Sequence, residues 1–213
     1  MSPPDLLVLV TGTGTDVGKT WVTIELARGL GDRGATVAVR KPAQSFARDD
    51  VSTDASLLGE ATGVSAETIC PPHRWYPIPL APPMAADSLG GAPIAVDDLI
   101  AELAWPADIS IGFVEGAGGL CSPIAHDGDS LSLVELLEPD LVLLVADPAL
   151  GVVSTVRMTA DAMGERPLLV LLNRYDDADE VHRRSLDWLR DVDRLTVGTD
   201  LTAVVDRLAA LVA

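Results

Sequence analysis

The sequence predicts an α/β fold in which a mainly parallel central sheet carries helices on both faces. Short apolar runs end in Gly, Asp or Asn, and stretches of helical periodicity lie between these runs, as in repeated βαβ units. The chain has 213 residues, of which 48% are hydrophobic, so it can bury the core of one ordinary domain. We therefore expect a single domain over residues 1–213.

Each predicted strand is a short apolar run that stops at a turn-forming or polar residue. In chain order, the predicted strands are at about 5–11, 35–40, 109–115, 140–147 and 166–173. Each predicted helix is a longer stretch in which apolar residues recur every three or four positions. In chain order, the predicted helices are at about 19–31, 53–63, 94–104, 130–137, 153–164, 177–191 and 200–212.

The segment 71–93 interrupts this order because it contains seven prolines. Proline lacks a backbone N–H and disrupts helix interiors and central strands, so we expect neither element there. Trp75, Tyr76 and Met84 give the segment apolar anchors. We predict a long ordered loop or a lid that borders the functional site.

The charge of the chain argues against two classes of partner. Its formal net charge is −17, from 32 acidic and 15 basic residues, so neither nucleic acid nor an acidic membrane is an expected partner. The sequence shows no uninterrupted apolar run of about 18 residues and no basic, cleavable leader, which predicts a soluble, cytoplasmic protein. Cys70 and Cys121 lie outside any CxxC pattern and are expected to be free thiols.

The most informative motif is the string GTGTDVGKT at residues 12–20, which follows the apolar run at 6–10. Glycines let backbone N–H groups turn toward an anion, while Lys and Thr at the end of the string suit phosphate and magnesium. The usual pattern has Gly where this chain has Thr13, and Gly12 lies one residue earlier. We predict a variant phosphate-binding loop of the P-loop NTPase type, not a chance glycine-rich turn. Its nucleotide-binding residues would be Gly14, Thr15, Asp16, Val17, Gly18, Lys19 and Thr20.

A second lysine is expected at the same site. Ligands of open α/β sheets bind beyond the carboxyl ends of the strands, and the strand at 35–40 is followed by Lys41 and then Ser45. A second ammonium beside a triphosphate suits the charge that develops in phosphoryl transfer. We therefore predict catalytic roles for Lys19 and Lys41, with Ser45 facing the same crevice.

Two carboxylates are candidates for a magnesium site. Glu115 ends the strand at 109–115 and leads into the glycine-rich run 116–119. Asp54 lies in the segment STDA at 52–55, where capping a helix is the competing role. Magnesium prefers a few hard oxygens together with phosphate and water, which Thr20, Asp54 and Glu115 can supply.

Asn173 ends the strand at 166–173, and its side-chain amide can pair with a purine ring. The string Asn173-Arg174-Tyr175-Asp176 also resembles the guanine-reading NKxD motif with Arg in place of Lys, so these residues leave both ATP and GTP open. The histidines show no metal spacing, and the sequence contains no arrangement typical of a Ser-His-Asp or Cys-His nucleophile. Phosphoryl transfer by positioning is therefore the favoured chemistry.

Taken in order, several segments resemble the dethiobiotin synthetase family. They are GTGTDVGKT, KPAQS at 41–45, STDA at 52–55, EGAGGL at 115–120 and Asn173. The phosphate loop of that family carries the same extra residue before Gly-Lys-Thr, which accounts for the position of Gly12. The loop and EGAGG are specific in combination, and the resemblance covers most of the chain.

The resemblance implies an ATP- and magnesium-dependent ring closure. One amine of 7,8-diaminopelargonic acid takes up carbon dioxide as a carbamate, the γ-phosphate activates it, and the second amine attacks. The products would be dethiobiotin, ADP and phosphate. The resemblance also implies a homodimer whose substrate lies at the subunit interface.

The family's site residues carry over to matching positions of this chain. Lys19 and Lys41 would neutralise phosphate and carbamate charge, and Ser45 would contact the carbamate as a third catalytic residue. The implied magnesium ligands are Thr20, Asp54 and Glu115. Asn173 would read adenine, and the backbone of Gly116, Ala117 and Gly118 would contact the substrate.

Departures from the family pattern cluster on the substrate side, so a different diamine stays open as the acceptor. Phe46 stands where the family usually has Gly, and Ser154-Thr155 stands within the stretch where the family commonly has Thr-Ile-Asn-His. A protein of a different class, a nucleotide-dependent switch like ParA and MinD, is the alternative. Those proteins typically carry an extra Lys early in the loop, where this chain has Thr13 and Gly14.

Overall fold

A six-stranded parallel sheet forms the centre of the computed structural model, which describes residues 3–212. In chain order, the strands are β1 (Leu6–Gly12), β2 (Val37–Arg40), β3 (Gln44–Ser45), β4 (Trp75–Tyr76), β5 (Ile111–Gly119), β6 (Leu141–Ala146), β7 (Leu168–Leu172) and β8 (Thr196–Gly198). The large sheet has the order β2-β5-β1-β6-β7-β8, and β3 pairs separately with β4. The mainly parallel α/β fold predicted from the sequence is confirmed.

Helices cover both faces of this sheet. In chain order, they are α1 (Lys19–Gly31), α2 (Asp54–Thr62), α3 (Ala66–Ile69), α4 (Pro82–Ser88), α5 (Val96–Ala101), α6 (Ser130–Leu137), α7 (Val152–Met163), α8 (Glu180–Arg190) and α9 (Leu201–Leu211). Every predicted helix overlaps an observed one, although α5 is shorter than the predicted 94–104 and β5 extends beyond the predicted 109–115. In the part of the chain that the structure describes, no helix combines the length and apolarity needed to cross a bilayer.

Successive side chains of β1 point to opposite faces of the sheet and pack into the two layers of the core. Val8 and Val10 pack on one face with Leu26 of α1, whereas Leu9 packs on the other face with Leu133 of α6. All five side chains are completely buried. Burying such a side chain contributes about 1.5–3 kcal/mol relative to leaving it exposed, so both faces hold the strand in place.

The prediction of a long loop over 71–93 is wrong, because this segment contains β4 and α4. Pro82 and Pro83 occupy the first turn of α4, where the missing N–H groups would have had no partner within the helix. Ala85 and Ala86 of the same helix are buried against the core. Three further elements, α3, β3 and β8, were not predicted, because they have two to four residues and are too short to show a period.

Candidate nucleotide and metal site

The strand order brings the predicted residues together at one edge of the sheet. In the parallel register, Arg40 of β2 is paired with Val114 of β5, so Lys41 and Glu115 are the next residues along these two segments. On the other side of β5, Glu115 pairs with Val10 of β1, near the start of the phosphate loop. Thus β2, β5 and β1 deliver their carboxyl ends to the same place, as ligand sites of open α/β sheets require.

The phosphate loop between β1 and α1 has a tightly turned backbone. Asp16 and Gly18 have φ values of 59° and 93°, in the left-handed region. The ammonium of Lys19 lies 2.9 Å from the carbonyl oxygen of Gly14 and donates a hydrogen bond across the loop. This curled conformation turns the loop around a place for an anion at the start of α1.

Asn173, at the end of β7, is packed against this loop. Its Nδ2 donates a hydrogen bond of 2.9 Å to the carbonyl oxygen of Val17, and a Cβ on Gly18 would collide with the same amide. Any other residue at position 18 would displace Asn173. The positive φ at this position is a second reason for glycine. The predicted base-reading residue therefore also supports the phosphate loop.

Three oxygen-bearing side chains converge at the start of α1. The hydroxyl oxygen of Thr20 lies 2.9 Å from Oδ1 of Asp54 and 2.9 Å from Oε1 of Glu115. Glu115 is fully buried, whereas 41% of the Asp54 side chain is exposed. The competing role of Asp54 as a helix cap is not observed, because Thr53 accepts the capping hydrogen bond from the N–H of Ser56.

Lys41 neutralises this acidic cluster. Its ammonium nitrogen lies 2.7 Å from Oε1 of Glu115 and 2.9 Å from Oδ2 of Asp54, and it also donates to the Gly116 carbonyl at 3.5 Å. Burial alone would lower the pKa of Lys41, but the two carboxylates outweigh it and hold that pKa above its ordinary range. In turn, the ammonium of Lys41 lowers the pKa of Asp54.

Lys19 has the opposite electrostatic environment. Its side chain is buried, and burial together with the positive charge of Lys41 lowers the pKa of Lys19 to about 8. The nearest hydrogen-bond partner given by the structure is the neutral carbonyl of Gly14. An anionic phosphate in the loop would supply the counter-charge and raise this pKa.

The loop and the acidic cluster open into a cleft of about 1060 Å³. Its walls include Lys19, Lys41, Ser45, Ala117 and Gly118, all of which the sequence analysis placed at the site. Phe46, which replaces the family's usual Gly, lines the same cleft. Gly116 differs from its neighbours, because its contact with the site is the carbonyl oxygen that faces Lys41.

Two buried residues at the cluster, Thr23 and Gln44, were not predicted from the sequence. Thr23 of α1 is completely buried, and its hydroxyl oxygen lies 2.8 Å from Oε2 of Glu115. Gln44 is also buried, and its Oε1 accepts a hydrogen bond of 3.0 Å from the N–H of Ala55, the residue after Asp54. Thr23 follows the phosphate-loop threonine by three positions and so shares its helix face, a signal that could have found it. The partner of Gln44 could not be found this way, because it lies on a different element.

The oxygen donors at the site fit magnesium. A hydroxyl and two carboxylates converge next to a phosphate-binding loop, and Mg²⁺ is typically held by one or two carboxylates together with phosphate and water. Within residues 3–212 there is no group of three or more His, Cys, Asp or Glu side chains that could hold a metal ion. A small set of hard oxygens completed by a nucleotide is therefore the arrangement this site offers.

Two solved structures share this fold. A plasmid partition protein from Borrelia burgdorferi B31, solved with AMPPNP, has a TM-score of 0.60 at 12% identity; the match covers 99% of this chain and 98% of that one. The signal recognition particle receptor FtsY from Elizabethkingia anophelis has a TM-score of 0.54 at 16% identity, over 98% of this chain and 66% of that one. At these identities the likeness shows the fold alone. Fold and loop together define a P-loop nucleotide-binding protein.

Sequence relatives define the family more closely. A family model described as an AAA domain matches residues 7–205. The ATP-dependent dethiobiotin synthetase BioD of Aquifex aeolicus (strain VF5) is 35% identical over 83% of this chain and 80% of its own length. The protein of that name from Parafrankia sp. (strain EAN1pec) is 38% identical over 76% of this chain and 67% of its own length. The chain belongs to the dethiobiotin synthetase family.

Proposed function

We propose that this protein is an ATP-dependent dethiobiotin synthetase, which closes the ureido ring of dethiobiotin from 7,8-diaminopelargonic acid and carbon dioxide. The observation that carries the proposal is the cluster at the mouth of the phosphate loop, in which Lys41 and Thr20 each contact both Glu115 and Asp54 at 2.7–2.9 Å. Together with the loop, Thr20, Lys41 and Asp54 of this cluster line a cleft large enough for a small-molecule acceptor.

The charges of the site suit transfer of a phosphoryl group to a carbamate. Lys19 would hold the terminal phosphates, while Lys41 would balance the charge shared by phosphate and carbamate. Thr20, Asp54 and Glu115 would hold a magnesium ion, which would neutralise phosphate charge when bound. Ser45 on the cleft wall would donate its hydroxyl to a carbamate oxygen.

The amide of Asn173 keeps groups that can pair with an adenine ring. One amide hydrogen is committed to the Val17 carbonyl, which leaves the second amide hydrogen as a donor and the side-chain oxygen as an acceptor. Adenine presents an amino group that can donate to this oxygen, and guanine presents a carbonyl oxygen that can accept from the remaining hydrogen, so the amide alone does not choose between them. We propose ATP as the nucleotide because the relatives described above are named ATP-dependent.

The substrate side of the proposal includes a second subunit. We assign the backbone of Gly116, Ala117 and Gly118 to the acceptor, and a homodimer to the protein, because of the family resemblance. Phe46 lines the cleft where the family usually has Gly, so an aromatic ring faces the space proposed for the acceptor. The proposal also takes residues 1–213 as one domain that acts in the cytoplasm on small molecules, without nucleic acid.

The reaction can be tested directly. The protein is incubated with ATP, Mg²⁺, bicarbonate and diaminopelargonic acid, and dethiobiotin is followed by mass spectrometry alongside phosphate release. Both products are expected to appear together, and Lys19→Ala is expected to abolish both. Phosphate release without dethiobiotin would reject this acceptor, and other diamines would then be tried. Nucleotide-dependent dimerisation without any stimulation by a diamine would instead favour a switch ATPase. Light scattering of the nucleotide-free protein checks the homodimer.

A further inference from the structure

Thr23 contacts the acidic cluster from inside α1. It lies one helical turn after Thr20, and no part of its side chain reaches solvent. Its hydroxyl oxygen lies 2.8 Å from Oε2 of Glu115 and 2.9 Å from the carbonyl oxygen of Lys19. The side chain thus connects the helix of the phosphate loop to the buried carboxylate of β5.

The two oxygens of Glu115 have different surroundings. Oε1 faces the site, where it contacts Lys41 at 2.7 Å and the Thr20 hydroxyl at 2.9 Å. Oε2 faces α1, and the hydrogen bond that the described residues provide to it comes from Thr23. A hydroxyl has one hydrogen, so Thr23 can donate either to the neutral carbonyl of Lys19 or to the carboxylate of Glu115. The hydrogen bond to the charged carboxylate is the stronger of the two, so we assign the hydrogen to Glu115.

This bond constrains the rotation of the Glu115 carboxylate. A completely buried carboxylate has no water to replace a lost hydrogen bond, so an unpaired oxygen would turn toward another donor. The available donors, Lys41 and Thr20, lie on the site side. Without Thr23, the carboxylate would therefore rotate and present a different geometry to a metal ion.

We propose that Thr23 is a positioning residue of the magnesium site, which acts through Glu115 and does not touch nucleotide or substrate. It pins Oε2 to the helix and leaves Oε1 as the oxygen presented to the metal. This inference rests on the proposed function, because that function assigns magnesium to Glu115. Residues that orient metal ligands in this way typically change metal affinity or activity by about 10–100-fold when they are replaced.

The test substitutes Thr23→Val, which keeps the shape of the side chain and removes the hydroxyl. The affinity for ADP is measured by calorimetry over a series of Mg²⁺ concentrations, including none. We expect the Mg²⁺ concentration that gives half of the full enhancement of ADP binding to rise about 10–100-fold. The affinity for ADP without Mg²⁺ is expected to change less than about twofold, and Thr23→Ser, which restores a hydroxyl, is expected to recover most of the wild-type Mg²⁺ dependence.

The chain offers a matched control in Thr62 of α2. Its hydroxyl donates to the carbonyl oxygen of Leu58, one turn back, at 2.7 Å, and among the described residues no carboxylate lies in hydrogen-bond contact with it. Thr62→Val therefore removes a helical threonine hydroxyl without removing a bond to a carboxylate, and it is expected to leave the Mg²⁺ dependence unchanged. Urea unfolding of both variants shows whether each is folded under the conditions of the binding experiment.

The outcomes separate this inference from the proposed function. If Mg²⁺ does not enhance ADP binding to the wild-type protein, the magnesium site of the proposed function is wrong. If the wild type shows the enhancement but Thr23→Val keeps the same half-saturating Mg²⁺ concentration, only the role of Thr23 is rejected. An equal shift in Thr62→Val, or a failure of Thr23→Ser to recover, would likewise reduce Thr23 to a packing residue. Should Thr23→Val not fold, Thr23→Ser against Thr23→Ala decides by the same measurement.

Discussion

Replacing Lys41 with Met is expected to destabilise the nucleotide-free protein strongly. Methionine has nearly the same length and shape, so the change removes the ammonium and little else. In the wild-type protein this group is 2% exposed and lies 2.7 Å from Oε1 of Glu115, which is 0% exposed. Breaking a buried ion pair by removing one partner costs about 3–5 kcal/mol, because the remaining charge stays buried without compensation.

The expected effect can be read from urea unfolding followed by circular dichroism at pH 7 without nucleotide or Mg²⁺. With an m-value of about 2 kcal/mol per M, a loss of about 3–5 kcal/mol lowers the midpoint by roughly 1.5–2.5 M. The exposed pair of Arg28 and Glu25 provides the control. These side chains lie 2.9 Å apart, close to the 2.7 Å of the buried pair, but they are 56% and 34% exposed, so Arg28→Met should cost less than about 1 kcal/mol.

Acidification gives an independent check on the same reasoning. Lys41 lowers the pKa of Asp54, so in the wild type this carboxylate stabilises the fold above its unfolded pKa, and the contribution is lost as the pH falls through its folded pKa. Lys41→Met removes the ammonium that lowers the pKa of Asp54. The difference in unfolding free energy between the two proteins should therefore shrink as the pH falls below 3.8, the ordinary pKa of this carboxyl. A difference below about 1 kcal/mol at pH 7, or one that grows on acidification, would refute this account of the cluster.

Three further predictions concern nucleotide and substrate binding. The pKa of Lys19 is lowered to about 8, so the fraction of Lys19 that carries a positive charge falls about 25-fold from pH 7.5 to 9.5. ADP affinity measured by calorimetry should fall by about the same factor, and Lys19→Arg should remove this dependence. Asn173→Ala leaves a buried loop carbonyl unpaired and removes the amide proposed to pair with adenine, so ATP affinity should fall about tenfold; an unchanged affinity would contradict both roles. Gly118→Ala should weaken acceptor binding, since φ is +67° and a Cβ would meet the Ser122 hydroxyl at 2.5 Å. Gly34→Ala, with φ +86° in open space, should bring strain without that effect.

The elements that the sequence predicted well are those whose pattern is local. The helix predicted over 130–137 is observed as Ser130–Leu137, and the strands around the phosphate loop lie within a few residues of their predicted positions. The segment 71–93 was misjudged because proline content alone does not distinguish a helix interior from a first turn. The pairing of β3 with β4, which places Ser45 on the cleft wall, joins residues about thirty positions apart and has no local signal.

In the candidate site too, some features follow from local sequence patterns and others only from long-range contacts. The roles of Lys19, Lys41, Ser45, Asp54 and Glu115 stay predictions, and the structure adds that all five lie at one place in the fold. Residue types and spacing indicated which groups face the carboxyl edge of the sheet. They could not indicate that Lys41 contacts both carboxylates or that Thr23 holds the far oxygen of Glu115, because these contacts depend on the register of strands and the rotation of α1.

The sequence by itself determined the fold class, the phosphate-binding loop and the family, because each of these is written in short runs whose periodicity or spacing needs no partner. Only the tertiary structure decided the electrostatics of the site. The lowered pKa of Lys19 and the raised pKa of Lys41 come from burial and from the charges placed beside each ammonium. Two lysines of the same intrinsic basicity differ here because one faces a neutral carbonyl and the other faces two carboxylates.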